Sequence, residues 1–120
     1  MERSESGVVE NLTILQKVYD FEKQIYGYLK KYPQSEKFAL VTETKNTIYA
    51  LSKKLLKAGM VEKKRAILYE ADIELFHLKH LVRLAFDFKY MSPKAYETSS
   101  KMLTEIGGML GTWIKNTKAN

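Results

Sequence analysis

The chain has 120 residues, 45% hydrophobic and 28% charged, and 20 basic against 14 acidic side chains give it a net charge of +6. That size suits a single domain able to bury a core without a covalent staple, and the composition excludes wholesale disorder. The absence of cysteine excludes disulfides, thiolate metal sites and cysteine nucleophiles, and no apolar run approaches the length of a membrane span.

The first predicted helix covers about residues 8–31. Val8, Leu12, Leu15 and Tyr19 form one row, and Ile14, Val18, Phe21, Ile25 and Tyr28 the next. Tyr32-Pro33-Gln34-Ser35 breaks it, because Pro33 cannot extend a helix behind it; Ser35 is the expected N-cap of the second helix. That helix runs over about 36–58, with Val41, Thr44, Ile48, Leu51, Leu55 and Ala58 in register. Gly59 suits a left-handed cap, and Lys53, Lys54 and Lys57 complement the helix C-terminus before it. The third helix is expected over 61–90, with Leu68, Ala71, Leu75, Leu78, Val82 and Ala85 inward. Ser92-Pro93 then reads as N-cap and first helical residue of a fourth helix, about 93–116, carrying Tyr96, Ser99, Leu103, Ile106, Leu110 and Trp113. Residues 115–120 are expected to fray.

Six glycines and two prolines are too few for a many-turned β fold. Short connections make successive helices antiparallel. The expected fold is therefore all-α, an antiparallel up-down-up-down four-helix bundle forming one domain over residues 1–120. The start, Met1 to Gly7, lacks the basic opening and apolar core of a secretory signal, so a cytoplasmic, membrane-free protein is expected.

Charge is uneven along the chain. Residues 21–59 hold eight basic and three acidic side chains, whereas residues 1–20 hold two and four. Lys53, Lys54, Lys57, Lys63, Lys64 and Arg65 gather around the second connection and would set up a local positive field. Attraction to nucleic acid is the functional meaning; a solvated helix end is the plainer one. Lysines outnumber arginines 17 to 3, so any binding should address phosphates and discriminate little between sequences.

The third helix carries a second apolar arc of Ile73, Leu81, Leu84 and Phe88, which suggests packing against another subunit or partner. A wide core stripe with scattered surface apolar residues would explain it equally. Between the arcs runs a polar strip with Lys79 and Arg83 one turn apart, and Phe76 one turn before Lys79. Such a cationic pair beside an aromatic ring can meet a base or a partner's pocket. In the fourth helix Gly107 and Gly111 share a face and would admit a close backbone, within the bundle or from another copy.

Catalytic patterns are missing. Glu74-x-x-His77 matches half of a carboxylate-bundle metal motif, but His80, on the same helix, is the one other histidine, so the second half cannot be assembled. No Gly-rich phosphate loop or Ser/His/Asp set stands in a believable context. We therefore expect no enzyme, cofactor or metal.

In the second half, Glu70-Ala71-Asp72, Leu78, Arg83-Leu84, Met91-Ser92-Pro93 and above all Glu105-Ile106-Gly107-Gly108-Met109-Leu110-Gly111-Thr112-Trp113-Ile114 resemble the accessory variability determinant (Avd) family of diversity-generating retroelements. The likeness runs from about Tyr32 to Lys115. A related four-helix family, encoded within intervening sequences of bacterial large-subunit ribosomal RNA genes, ends its second helix in Asn-Ile-Ala-Glu-Gly. This chain has Leu55-Leu56-Lys57-Ala58-Gly59 there.

The resemblance implies a homopentameric barrel of four-helix subunits that binds a reverse transcriptase and its template RNA, with DNA as a further candidate, and supports error-prone copying without being a polymerase. It implies a role for basic residues of the third helix, here Lys79 and Arg83. Lys79 stands where an arginine is usual, keeping the charge but losing the planar fork. A pentamer would also account for Ile73, Leu81, Leu84, Phe88, Gly107 and Gly111 as contacts between copies. Five copies would carry about +30, and many weak phosphate contacts would add by avidity. The alternative is a structural, protein-interaction bundle with no polymerase partner.

Overall fold

Heptad-like rows of branched and aromatic side chains, cut by polar connections, give four α-helices in the computed structural model, which describes residues 5–117 and their side chains from Asn11 onward. They are α1 (Glu5–Leu29), α2 (Leu40–Ala58), α3 (Arg65–Asp87) and α4 (Pro93–Lys115), with a short 3-10 helix at Gln34–Glu36. The Val8 side chain and the ends at residues 1–4 and 118–120 lie outside the described residues. Each helix packs on two neighbours: α1 and α3 both touch α2 and α4, and neither diagonal pair meets. The result is the all-α four-helix bundle, measuring 46 × 24 × 20 Å over its Cα atoms. No helix among the described residues is long and apolar enough to cross a membrane.

The core follows the expected rows of α2, α3 and α4 closely. Ile48, Leu51, Leu55, Leu68, Leu75, Leu78, Leu103, Ile106 and Leu110 are essentially sealed. At about 1.5–3 kcal/mol for each large aliphatic side chain, their burial is the principal force closing the bundle. Ser99 and Thr44 sit among them, and each hydroxyl is satisfied: Ser99 donates to the Met91 sulfur and Thr44 to the Leu40 carbonyl at 2.7 Å. In α1 the row Ile14, Val18, Phe21, Ile25 and Leu29 faces inward. Leu12 and Tyr19, placed with Leu15 in the other row, are 63% and 54% exposed, because they lie on the side of α1 turned away from α2 and α4.

Both ends of α2 depart from expectation. Ser35 does not cap it. The helix begins at Leu40, after the 3-10 turn, with Ala39 in the cap position and no side-chain cap. Glu36 partly replaces the missing cap. Its carboxylate accepts from the Leu40 amide at 3.3 Å and from the Tyr90 hydroxyl at 3.0 Å, tying the α1–α2 connection to the α3–α4 connection. Gly59 closes α2 in a right-handed conformation, φ −72°. Its lack of a side chain serves a different need, since a Cβ there would come within 2.5 Å of the buried Asn11 side chain. Asn11 in turn donates to the Leu55 carbonyl at 2.8 Å, fastening α1 to the end of α2. The left-handed position falls elsewhere, at Lys89 just beyond α3, with φ 65°.

α3 is shorter than expected at both ends, so Lys63, Lys64 and Phe88 stand outside it. Ser92 caps α4 as its sequence suggests, its hydroxyl accepting from the Ala95 amide at 3.1 Å, with Pro93 opening the helix.

Candidate nucleic-acid interface

The cations around the α2–α3 connection divide into two kinds. Lys53, Lys57 and Lys63 are exposed. Lys54 is half-buried and paired with Glu74 across the α2–α3 seam. Lys64 is only 8% exposed, with its ammonium 6.0 Å from the centre of the Trp113 ring. Arg65 donates to the Thr117 carbonyl at 3.1 Å and lies over the Tyr69 ring. Lys54, Lys64 and Arg65 therefore also hold this end of the bundle together, and Lys64, being buried, is not the open surface cation that was expected.

On α3 the outward stripe runs Tyr69, Ile73, Phe76, His80, Arg83, Asp87, spaced three or four residues apart along one face. Ile73 and Phe76 are 68% and 73% exposed, so this face is apolar toward its start and ionic toward its end. Arg83 directs its Nε to both Asp87 oxygens, at 3.1 and 3.2 Å, one turn on. That hydrogen bond raises the Arg83 pKa and keeps the guanidinium charged. The pair is exposed on both sides, and exposed i,i+4 pairs are weak, so a phosphate can compete for Arg83. Lys79 is also exposed, but it leans toward α4, where its ammonium lies over Gly107. The two cations thus flank one strip of surface and address it from different sides.

Glu74 and His77, the half of a metal motif, are each engaged across the α2–α3 seam. Glu74 holds Lys54, and His77 Nε2 lies 3.0 Å from a Glu43 oxygen. Their three-residue spacing positions two seam contacts one turn apart. No three His, Asp or Glu side chains converge among the described residues.

The residues expected between copies also separate. Ile73 and Phe88 are exposed and Leu84 is partly covered. Leu81 is 5% exposed and belongs to the bundle's own core, a correction whose cause is its inward turn beside Val82. Gly107 faces Lys79 and Leu75 of the same chain, whereas Gly111 has open space beside it.

Sequence reasoning missed a second gathering of cations. Lys30, Lys37 and Lys45 line one cleft at the opposite end of the bundle, between the end of α1 and the start of α2. Only the net positive charge of residues 21–59 hinted at them.

A family model described as bAvd-like matches residues 12–117, which takes in all but the first turns of α1 and the whole of the other three helices. No curated protein matches the chain.

Proposed function

The chain belongs to the bAvd-like family, and from that premise we propose that it is a non-catalytic accessory protein of a diversity-generating retroelement. In this reading it binds the element's reverse transcriptase and template RNA and supports mutagenic copying. The family match carries the proposal. The exposed α3 strip, with Phe76, Lys79 and Arg83 on or beside one outward face, supports the choice of surface.

The chemistry suits a polyanion met through its backbone. Lys79 supplies a point charge and Arg83 a planar fork, and neither is held in a pocket that would read a base edge. Lys53, Lys57 and Lys63 add exposed charge at the lower end of the bundle. In a homopentamer, with Ile73, Leu84 and Phe88 at or near contacts between copies, the strip would recur around a ring, and its weak contacts would add.

Co-expression with the reverse transcriptase of the same retroelement tests this. The wild-type chain should copurify with the polymerase and its RNA when the polymerase is captured. Lys79→Ala/Arg83→Ala should reduce the RNA retained. A chain that captures neither polymerase nor RNA, or whose partners persist unchanged after nuclease treatment with no RNA present, would point to the protein-interaction bundle instead.

A further inference from the structure

We propose that the cleft between the end of α1 and the start of α2 binds a single nucleotide unit, an aromatic base bearing a phosphate. The cleft has a volume of about 260 Å³. This is just below the roughly 300–1,000 Å³ of sites for drug-sized ligands, and it suits one nucleotide rather than a run of strand. Lys30, Lys37 and Lys45 line it together with Tyr26, Tyr32 and Gln34. None of the three lysines pairs with a carboxylate among the described residues. Three cationic side chains along one small hollow make it electropositive and attract an anion.

The walls favour a flat apolar group beside that charge. The Lys45 ammonium lies 4.7 Å from the Tyr26 ring centre, and the Tyr26 hydroxyl is hydrogen-bonded to Tyr49 on α2, which fixes the ring's position. Tyr32 is buried at the cleft wall, its ring packed on Tyr90 with centres 5.6 Å apart. The partly exposed Tyr26 ring can accept any base by stacking, and lysines hold phosphate as point charges. The nearby Glu36 carboxylate is occupied by the Tyr90 hydroxyl and the Leu40 amide. Gln34 offers an amide for a ribose hydroxyl or a base edge.

The inference stands apart from the α3 strip, since neither Lys79 nor Arg83 lines the cleft. A nucleotide can reach the site free or as the phosphorylated end of a strand, and the two sources are separable. Equilibrium binding to the full chain is measured with adenosine monophosphate, adenosine, inorganic phosphate, and a tetranucleotide with and without a 5′-phosphate. Saturable binding of adenosine monophosphate, at least tenfold tighter than adenosine or phosphate alone, is the expected result. Lys37→Ala/Lys45→Ala should weaken it at least tenfold, and Lys115→Ala, which removes a charge at the far end of α4, should leave it within twofold. A phosphorylated tetranucleotide that binds at least tenfold tighter than the mononucleotide, and displaces it, identifies a strand end as the ligand; equal or weaker binding identifies the free nucleotide. Should the double variant not fold, shifts of the Tyr26 and Tyr32 ring protons during titration of the wild type locate the ligand. Absence of saturable binding at millimolar nucleotide, equal weakening by Lys115→Ala, or ring protons that do not move would overturn the proposal.

Discussion

The ammonium of Lys79 on α3 lies over Gly107 of α4, where a Cβ would come within 3.3 Å of it. The lysine stem therefore crosses the α3–α4 seam, and the glycine leaves it room. Gly107→Ala gains up to about 1 kcal/mol of helix preference, and the atom it presses on is the free end of a flexible chain. Thermal melting should show stability unchanged or up to about 1 kcal/mol higher. A loss of more than about 1 kcal/mol would mean that Lys79 is held firmly on the seam.

Gly59→Ala should behave in the opposite way. Its Cβ would meet Asn11 at 2.5–2.6 Å, and Asn11 is buried with its amide bonded to the Leu55 carbonyl. Expelling that side chain breaks one of two hydrogen bonds to the Leu55 carbonyl, which also accepts from the Gly59 amide at 3.2 Å, at a cost of about 0.5–1.5 kcal/mol. Denaturant unfolding of Gly59→Ala, Asn11→Ala and the double variant should show the double costing less than the sum of the singles, because the two changes disturb one contact.

Lys89 occupies the left-handed position that follows α3, with its amide bonded to the Phe86 carbonyl and the Tyr90 amide to the Ala85 carbonyl. A side chain is strained there, and glycine is not. Lys89→Gly should raise stability by up to about 1 kcal/mol in the same unfolding assay.

These contacts mark where the sequence was legible. Helical periodicity located the inward rows of α2, α3 and α4, because one face of each is covered by two neighbours. It failed for Leu12 and Tyr19, since a repeat of four says nothing about which side of α1 meets them. Glycine at 59 suggested a left-handed turn, but the need came from Asn11, 48 positions earlier, while the left-handed turn fell to a lysine. The same blindness to distant partners affected the charges. Glu74, Trp113 and Thr117, which engage Lys54, Lys64 and Arg65, are 20 to 52 residues away from them in the chain. Lys30, Lys37 and Lys45 form a group only once α1 and α2 lie side by side.

Tyr32 gives the stability a dependence on alkaline pH. Burial raises its pKa from 10.0 to about 12, so the folded chain holds a proton that the unfolded chain has lost. Its contribution is complete below pH 10 and disappears as pH rises from there to about 12. Tyr32→Phe should make the fall in melting temperature across that window shallower. An identical fall in both proteins would place the alkaline sensitivity at other groups.

The most direct test of the account is the salt dependence of single-stranded RNA binding, measured for the wild type and for Lys79→Ala/Arg83→Ala under conditions where both are folded. If these two side chains meet phosphates, the variant should bind more weakly at low salt, and the slope of log Kobs against log salt should become shallower by about 1.4, near 0.7 for each lost contact. Equal affinity and equal slope in the two proteins would contradict the assignment of RNA to the outer face of α3.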